Sequence, residues 1–310
     1  MTPAAPSTRA ASHVLLVEPV NFRSNQETGP TNAFQVTLPE AEEQTLAQLA
    51  VEQHHRLRDL LVDHGVIVTL ARSLETSPDA PFCNNWFSTH PADELRPATL
   101  VLYPLLAENR RIERRGELVS LIQPAYPRLV DLSPNERQSR FLESTGSLVL
   151  DHASRTAYAA LSPRTDFSLA SEWADTLGYD LVAFTAVDRG GMPFYHTNVL
   201  MFIGHGLAGI CLESIPDNGE RRAVEARLAR DEKEILPLTQ EQAANFCGNC
   251  LALSAADSTP LFLLSSQAWR SFSPAERATI ERHGRILHTE LSAFEKLGGG
   301  SARCLVAELF

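Results

Sequence analysis

The stretch Gly298–Phe310, GGGSARCLVAELF, runs three glycines into one cysteine and then into a short apolar segment. Three consecutive glycines have no packing use inside a helix or strand. They suit a tight turn, a backbone with φ > 0 or the close approach of a ligand. Leu305–Phe310 reads as a buried strand from its apolar run. Cys304 then falls at a loop–strand boundary, where a thiol can face a pocket while a sheet holds its backbone. A lone cysteine is also an ordinary small core residue, so the rest of the chain has to decide between the two.

The chain has 310 residues, 44% of them hydrophobic and 21% charged, which is a globular composition. A net charge of −11 argues against a nucleic-acid footprint. No apolar run approaches the length of a membrane span, so no membrane partner is expected. The opening MTPAAPSTRAAS lacks the apolar core of a signal peptide and reads as a short disordered lead over residues 1–12. The five cysteines, Cys83, Cys211, Cys247, Cys250 and Cys304, are odd in number and widely spread. That pattern fits reduced thiols in a cytoplasmic protein better than a disulfide frame. Cys247 and Cys250 form a lone CxxC without a second pair or nearby histidines, so coincidence is a better reading than zinc or redox chemistry.

Working back along the chain, His13–Pro19 is a strand, followed by a polar loop through residue 35 that either lines a site or is only a turn. Residues 38–64 read as a long amphipathic helix stopped by Gly65, with His54 and His55 partly solvated. Strands are expected at 66–70, at 80–89 running into a loop at Asn84–Asn85, and at 98–103. Residues 107–122 read as a basic helix whose Arg110, Arg111, Arg114 and Arg115 lie on a solvated face with Glu108 and Glu113. Further strands are expected at 141–151, 156–161, 180–187, 195–203, 207–215, 251–254 and 261–265. Helices are expected at 168–177, 217–234, 239–246 and 273–295, the last with Ser273 as N-cap, Pro274 at its first position and Glu276 at its third. Strand pairs alternate with helices and no linker intervenes. That predicts one α/β domain over 13–310, with room for a strand–strand–helix repeat.

A thiol nucleophile needs a base or a cation, since a free cysteine with a pKa of about 8.5 is mostly protonated at neutrality. A histidine at a strand end, such as His196, can serve, and a glutamate such as Glu143 can orient it. Several motifs then fall in a telling order: PVNF (Pro19–Phe22), NNWFSTH (Asn84–His90), ENRR (Glu108–Arg111), TGSLVLD (Thr145–Asp151), LSPR (Leu161–Arg164), HTNV (His196–Val199), ESI (Glu213–Ile215), CGN (Cys247–Asn249) and GGGSARC. In these the chain resembles the pentein, or guanidino-group-modifying, superfamily, most closely its citrulline-utilisation hydrolases related to arginine deiminase. The resemblance implies five pseudo-symmetric ββαβ units around a central active site. It also implies that Cys304 is the nucleophile, His196 the general acid/base and Glu143 the acidic partner. No metal or organic cofactor is implied. The expected partner is a small-molecule substrate; a homo-oligomer stays open.

Two positions depart from the deiminase pattern. Asn84-Asn85 stands where the deiminases carry Arg-Asp, and His196-Thr197-Asn198 where they carry His-x-Asp. Those aspartates grip a cationic guanidinium, whose charge needs pairing in a desolvated pocket. An amide offers a donor and an acceptor, so Asn85 and Asn198 favour a neutral ureido group such as that of citrulline. Backbone N–H groups around Gly300, or Asn85, are candidates to stabilise an oxyanion. Arg23, Arg110, Arg111 and Arg164 are candidates for a substrate carboxylate. Glu143 is followed by Ser-Thr-Gly-Ser where relatives have Gly-Gly, one residue longer, which bears on its placement. The alternatives are an arginine deiminase, dimethylarginine hydrolase or amidinotransferase acting on a guanidino substrate, or a non-enzymatic pentein-type ribosome factor, which lacks the Cys/His/acid set.

Overall fold

The computed structural model describes residues 10–310, so the expected lead lies, over residues 1–9, outside the described residues. Residues 10–12 already belong to the fold: Ala11 is buried and its carbonyl accepts the Ser254 N–H at 2.9 Å.

The strands are β1 (His13–Glu18), β2 (Ile67–Arg72), β3 (Phe87–His90), β4 (Thr99–Leu102), β5 (Arg128–Asp131), β6 (Val149–Asp151), β7 (Thr156–Ala160), β8 (Asp180–Phe184), β9 (Met201–Gly204), β10 (Leu207–Ile210), β11 (Glu234–Pro237), β12 (Leu251–Ser254), β13 (Pro260–Ser265), β14 (Arg285–Thr289) and β15 (Ala307–Leu309). They form five three-stranded sheets, ordered β15-β1-β2, β3-β4-β5, β6-β7-β8, β9-β10-β11 and β12-β13-β14. In every sheet two strands pair antiparallel and a third runs parallel to the middle one. A crossover helix bridges the parallel pair: α1 (Glu40–Asp63), α2 (Gly116–Ile122), α3 (Phe167–Leu177), α4 (Asn218–Arg230) and α5 (Pro274–His283). This is a ββαβ module repeated five times. The first module is split, because β15 pairs antiparallel with β1, setting Leu15 against Ala307.

Burial follows from where each strand sits. The middle strands are continuous apolar runs, TLVL in β4 and TAYAA in β7, and are buried throughout. Strands covered on both faces read that way. The outer strands are mostly half-buried or exposed, and β2 leaves Ile67 and Leu70 exposed. The first strands stand nearest the axis, β9 beside β6 and β12, and β15 beside β3.

Helix ends follow local chemistry. Asp166 caps α3 by accepting the Leu169 N–H, and Gly178 ends it in the left-handed region. Ser273 and Glu276 form the expected capping box.

Several boundaries differ from the sequence reading. The expected helix over 273–295 stops at His283, and residues 285–289 pair with β13 before a short helix, Ser292–Leu297, begins. Residues 128–131 and 234–237 are likewise outer strands, the second starting at the last residue of the span read as charged helix. These three outer strands carry too little apolar pattern to announce themselves. The expected basic helix over 107–122 breaks into a 3-10 turn, Glu108–Glu113, and α2. Arg110 turns inward from that 3-10 segment and is buried, so it does not lie on a solvated face. His54 is also fully buried, although its neighbour His55 is partly exposed.

Candidate active site

Four inner strands are each entered through one helical turn. The turns are Cys83–Asn85 before β3, Ser144–Ser147 before β6, Thr197–Leu200 before β9 and Ala302–Leu305 before β15. The turn through Cys247–Asn249 occupies the same place before β12. Hydrogen bonds join them around the axis. Asn84 Nδ2 donates to Thr145 Oγ1 at 3.3 Å, and Asn198 Nδ2 to the Thr145 carbonyl at 3.0 Å. Asn249 Nδ2 donates to the Asn198 carbonyl at 2.8 Å, and its Oδ1 accepts the Arg303 N–H at 3.0 Å. Cys304 follows directly and rests on this ring. Asn249 Nδ2 lies 3.2 Å from its Sγ, which in turn donates to Asn198 Oδ1 at 3.8 Å.

His196, Glu143, Asn85, Gly300, Arg110 and Arg164 all gather at the pocket above the thiol or at its wall. His196 Nε2 lies 2.8 Å from Glu143 Oε2, and Glu143 Oε1 accepts the Leu106 N–H at 3.0 Å. Burial alone would raise the Glu143 pKa, yet Arg164, His196 and Arg110 beside it hold the carboxylate well below the usual range. The extra residue in this segment does not displace it; Ser144 takes φ +47 and donates to the Phe87 carbonyl at 2.7 Å. Burial lowers the His196 pKa to about 4 despite Glu143, so the ring is neutral. An ionised carboxylate only accepts. The single ring proton therefore sits on Nε2, and Nδ1 is left as a bare base.

Gly146 makes this arrangement possible. A Cβ there would stand 2.5 Å from Asn85 Nδ2 and 2.8 Å from His196 Nδ1. Asn85 has one fixed orientation, because its Oδ1 accepts Arg110 Nη1 at 2.9 Å and a guanidinium can only donate. Its Nδ2 is buried with no hydrogen-bond partner in the protein.

The two lining arginines differ in their ties. Arg110 forms a fork with Glu113, Nε and Nη2 each at 2.9 Å, and also donates to the Phe82 carbonyl at 3.2 Å. Arg164 reaches Glu143 at 3.4 Å and fastens the polar loop through the Thr28 carbonyl at 3.0 Å and Thr31 Oγ1 at 2.8 Å. That loop is closed over the site: Thr28 and Asn32 line the pocket, and Asn32 Nδ2 donates to the Gly298 carbonyl at 3.0 Å. Gly299, at φ +61, presents its carbonyl to Tyr195 Oη. The other two arginine candidates lie elsewhere. Arg23 bonds the carbonyls of Asn21 and Glu75, and Arg111 pairs with Glu108 and Glu136.

Asp79 escaped the sequence reading. It is buried in the pocket wall, its Oδ2 accepts Asn25 Nδ2 at 2.8 Å and Thr28 Oγ1 at 3.1 Å, and its Oδ1 has no partner in the protein. An acidic residue six positions before Asn85 carried no signal of its own. Asn249 was visible only as part of the CGN motif, with no role attached. Among the described residues no group of three or more His, Cys, Asp or Glu side chains is placed to hold a metal ion. Among the described residues no helix is long and apolar enough to cross a membrane.

Five ββαβ modules around an axis, with cysteine, histidine and glutamate brought to its centre, define a pentein of the guanidino-group-modifying class. Within that class, residues 18–310 match the family described as N,N dimethylarginine dimethylhydrolase, eukaryotic, and the chain belongs to that family. Among solved structures it is similar to the N-terminal domain of ArgZ, an arginine dihydrolase from the ornithine-ammonia cycle in cyanobacteria. The match to that product-bound domain has 19% identity and a TM-score of 0.74, and covers 96% of this chain and 97% of the other. Unliganded AgrE matches at 20% identity and a TM-score of 0.75, over 96% of this chain and 39% of that longer one. A dimethylarginine dimethylaminohydrolase carrying an S-methyl-L-thiocitrulline adduct matches at 15% identity and a TM-score of 0.65, over 96% and 99%. No curated protein matches the chain.

Proposed function

We propose that the protein is a cysteine-dependent C–N hydrolase that acts on the ureido group of citrulline and releases ornithine, ammonia and carbon dioxide. The observation that carries the substrate is Asn85. Arg110 holds its carbonyl, so only its N–H donors face the pocket. A ureido oxygen accepts such a donor, whereas a guanidinium has donors alone. The unpartnered Oδ1 of Asp79 accepts N–H groups of the same substrate or its α-ammonium.

His196 Nδ1 takes the Cys304 proton, and the thiolate attacks the ureido carbon. Asn85 and the N–H groups around Gly300 stabilise the charge that develops on oxygen. The imidazolium, paired with Glu143, returns its proton to the leaving amine as the C–N bond breaks, leaving a thiocarbamoyl enzyme. His196 then activates a water that hydrolyses the thioester, and the resulting carbamic acid breaks down to carbon dioxide and amine. Arg164 is the better partner for the substrate carboxylate, since its closest bonds go to the neutral groups of Thr28 and Thr31, whereas the charge of Arg110 is already met by the Glu113 fork. Asn198 acts from below the thiol, its amide being engaged with Thr145 and Asn249.

A guanidino substrate is the second reading. Asp79 supports it, because a buried carboxylate oxygen without a partner suits a cation. The relatives ArgZ and dimethylarginine dimethylaminohydrolase also carry such substrates in their names. The deciding experiment offers citrulline, arginine, agmatine and methylated arginine separately, detects ornithine, citrulline and ammonia, and uses Cys304→Ala as control. Ornithine from citrulline, absent in the variant, supports the first reading. Citrulline accumulating from arginine, with no ornithine, overturns it in favour of the second.

A further inference from the structure

We infer that two asparagines beneath the nucleophile set its acidity in opposite senses: Asn249 favours the thiolate of Cys304 by donating to its sulfur, and Asn198 favours the neutral thiol by accepting from it. The inference rests on Cys304 being the reactive residue and not on which substrate it attacks.

Orientation decides the roles, and the backbone fixes both orientations. Asn249 Oδ1 accepts the Arg303 N–H at 3.0 Å, so its Nδ2 is the end that faces Sγ at 3.2 Å. Asn198 Nδ2 donates to the Thr145 carbonyl at 3.0 Å, so its Oδ1 is the end that faces Sγ at 3.8 Å. Neither amide can turn over without losing a buried hydrogen bond, and both residues are within 1% of full burial. A negative sulfur gains from a fixed N–H and is repelled by a fixed carbonyl oxygen.

The surroundings leave room for these neutral groups to matter. Arg303 follows the ring just before the thiol, and its guanidinium is engaged with Glu308 at 2.7 Å and the Val306 carbonyl at 2.8 Å. On the pocket side Cys304 shares the lining with His196, Tyr195, Arg110, Arg164 and Asp79, and Glu143 is bonded to His196. Among the groups that pull the thiol pKa down, the Ser301 backbone and the Asn249 amide come before the charges of Arg303 and Arg110. Glu113 neutralises much of Arg110, and His196 is neutral. Burial pushes the thiol pKa up, and the Asn249 donor pulls against it. Because Asn249 belongs to the turn before β12 and Cys304 to the turn before β15, the same bond that steadies the thiolate also locks two modules together.

The test is the thiolate ultraviolet absorbance of the full chain, titrated against pH and read as a difference from Cys304→Ser. That difference removes the other four cysteines and needs no reagent to enter the closed pocket. Hydrogen bonds to charged groups correspond to a shift of roughly one to two pH units. We expect Asn249→Ser and Asn249→Ala to raise the Cys304 pKa by about that much, Asn249→Asp to raise it further, and Asn198→Ala to lower it. Circular dichroism and Tm identify variants that fold, and Asn249→Ser retains a small hydroxyl should the alanine variant not fold. An unchanged pKa in a folded Asn249 variant, or an upward shift in Asn198→Ala, overturns the inference. A protein that releases no ornithine from citrulline yet shows these opposite shifts leaves the inference standing and removes only the citrulline reading.

Discussion

Replacing Gly146 by alanine tests the geometry of the site with a single methyl. An ideal Cβ there stands 2.5 Å from Asn85 Nδ2, 2.7 Å from His196 Cε1 and 2.8 Å from His196 Nδ1. Ordinary heavy-atom contact begins at about 3.5 Å, so both side chains must retreat by roughly 1 Å. Asn85 is held from behind by Arg110 at 2.9 Å and His196 by Glu143 at 2.8 Å. Moving either one disturbs a buried hydrogen bond to a charged partner. A displacement of about 1 Å at reacting groups costs on the order of 10²-fold in rate, and two groups are displaced at once. We therefore expect kcat/KM to fall by at least about 10²-fold, with an overpacking cost of about 1–3 kcal/mol in stability. The assay is steady-state kinetics on the substrate found in the product experiment, with urea denaturation run in parallel. Gly116→Ala is the control, since a methyl there meets nothing within 4 Å. A Gly146→Ala enzyme with wild-type kcat/KM would refute the placement of both the His196 ring and the Asn85 amide.

Three further outcomes follow from the same charges and contacts. His196 must be neutral to act as base, and burial holds its pKa to about 4, so the acid limb of kcat/KM should fall through about 4; a limb near the ordinary histidine value of about 6.5 contradicts this. Arg110→Met leaves Glu113 and Asp79 buried without their partner and frees the Asn85 amide to flip. We expect a loss of about 3–5 kcal/mol in chemical denaturation and a weaker preference for ureido over guanidino substrates. His54 is fully buried, both ring nitrogens lack partners, and burial lowers its pKa to about 3. Between that value and about 6.5 the unfolded chain takes up a proton that the folded chain does not. Stability should then fall on acidification by up to about 1.4 kcal/mol per pH unit. His54→Leu should flatten that slope in urea denaturation at several pH values; an unchanged slope would place the acid sensitivity elsewhere.

The sequence shows most clearly what is strongly apolar. The middle strands and α3, with its stop at Gly178, fall where the residues say they should. The outer strands 128–131, 234–237 and 285–289 are hidden because an edge strand half open to water needs no run of hydrophobic residues. The helical turns before the inner strands are hidden for a different reason. Thr197–Leu200 and Ser144–Ser147 are short, buried on all sides and continuous with apolar strands, so periodicity cannot separate them from a strand. Arg110 is the instructive case. Four arginines near two glutamates look like a solvated basic helix, and only the fold reveals that one of them is the buried brace of Asn85.

The five-fold plan explains why no compact motif marks this site. Each module contributes one group: Asn85 comes from the second, Glu143 from the third, His196 from the fourth, Asn249 from the fifth and Cys304 from the first, whose β15 pairs with β1. Glu143 and His196 are 53 residues apart, and Asn249 and Cys304 are 55 apart, which is one module each. Any one of them, read alone, is an unremarkable residue at the start of a strand. They become a site only because every module enters its inner strand through the same turn and the turns meet on one axis. That plan has a mechanical consequence. The nucleophile is positioned by hydrogen bonds to two other modules, Asn249 in the fifth and Asn198 in the fourth, and its strand is anchored to a third by Thr89 Oγ1 on the Glu308 carbonyl at 2.9 Å. Loosening any of these modules therefore loosens Cys304, so the stability of the ring and the reactivity of the thiol should change together.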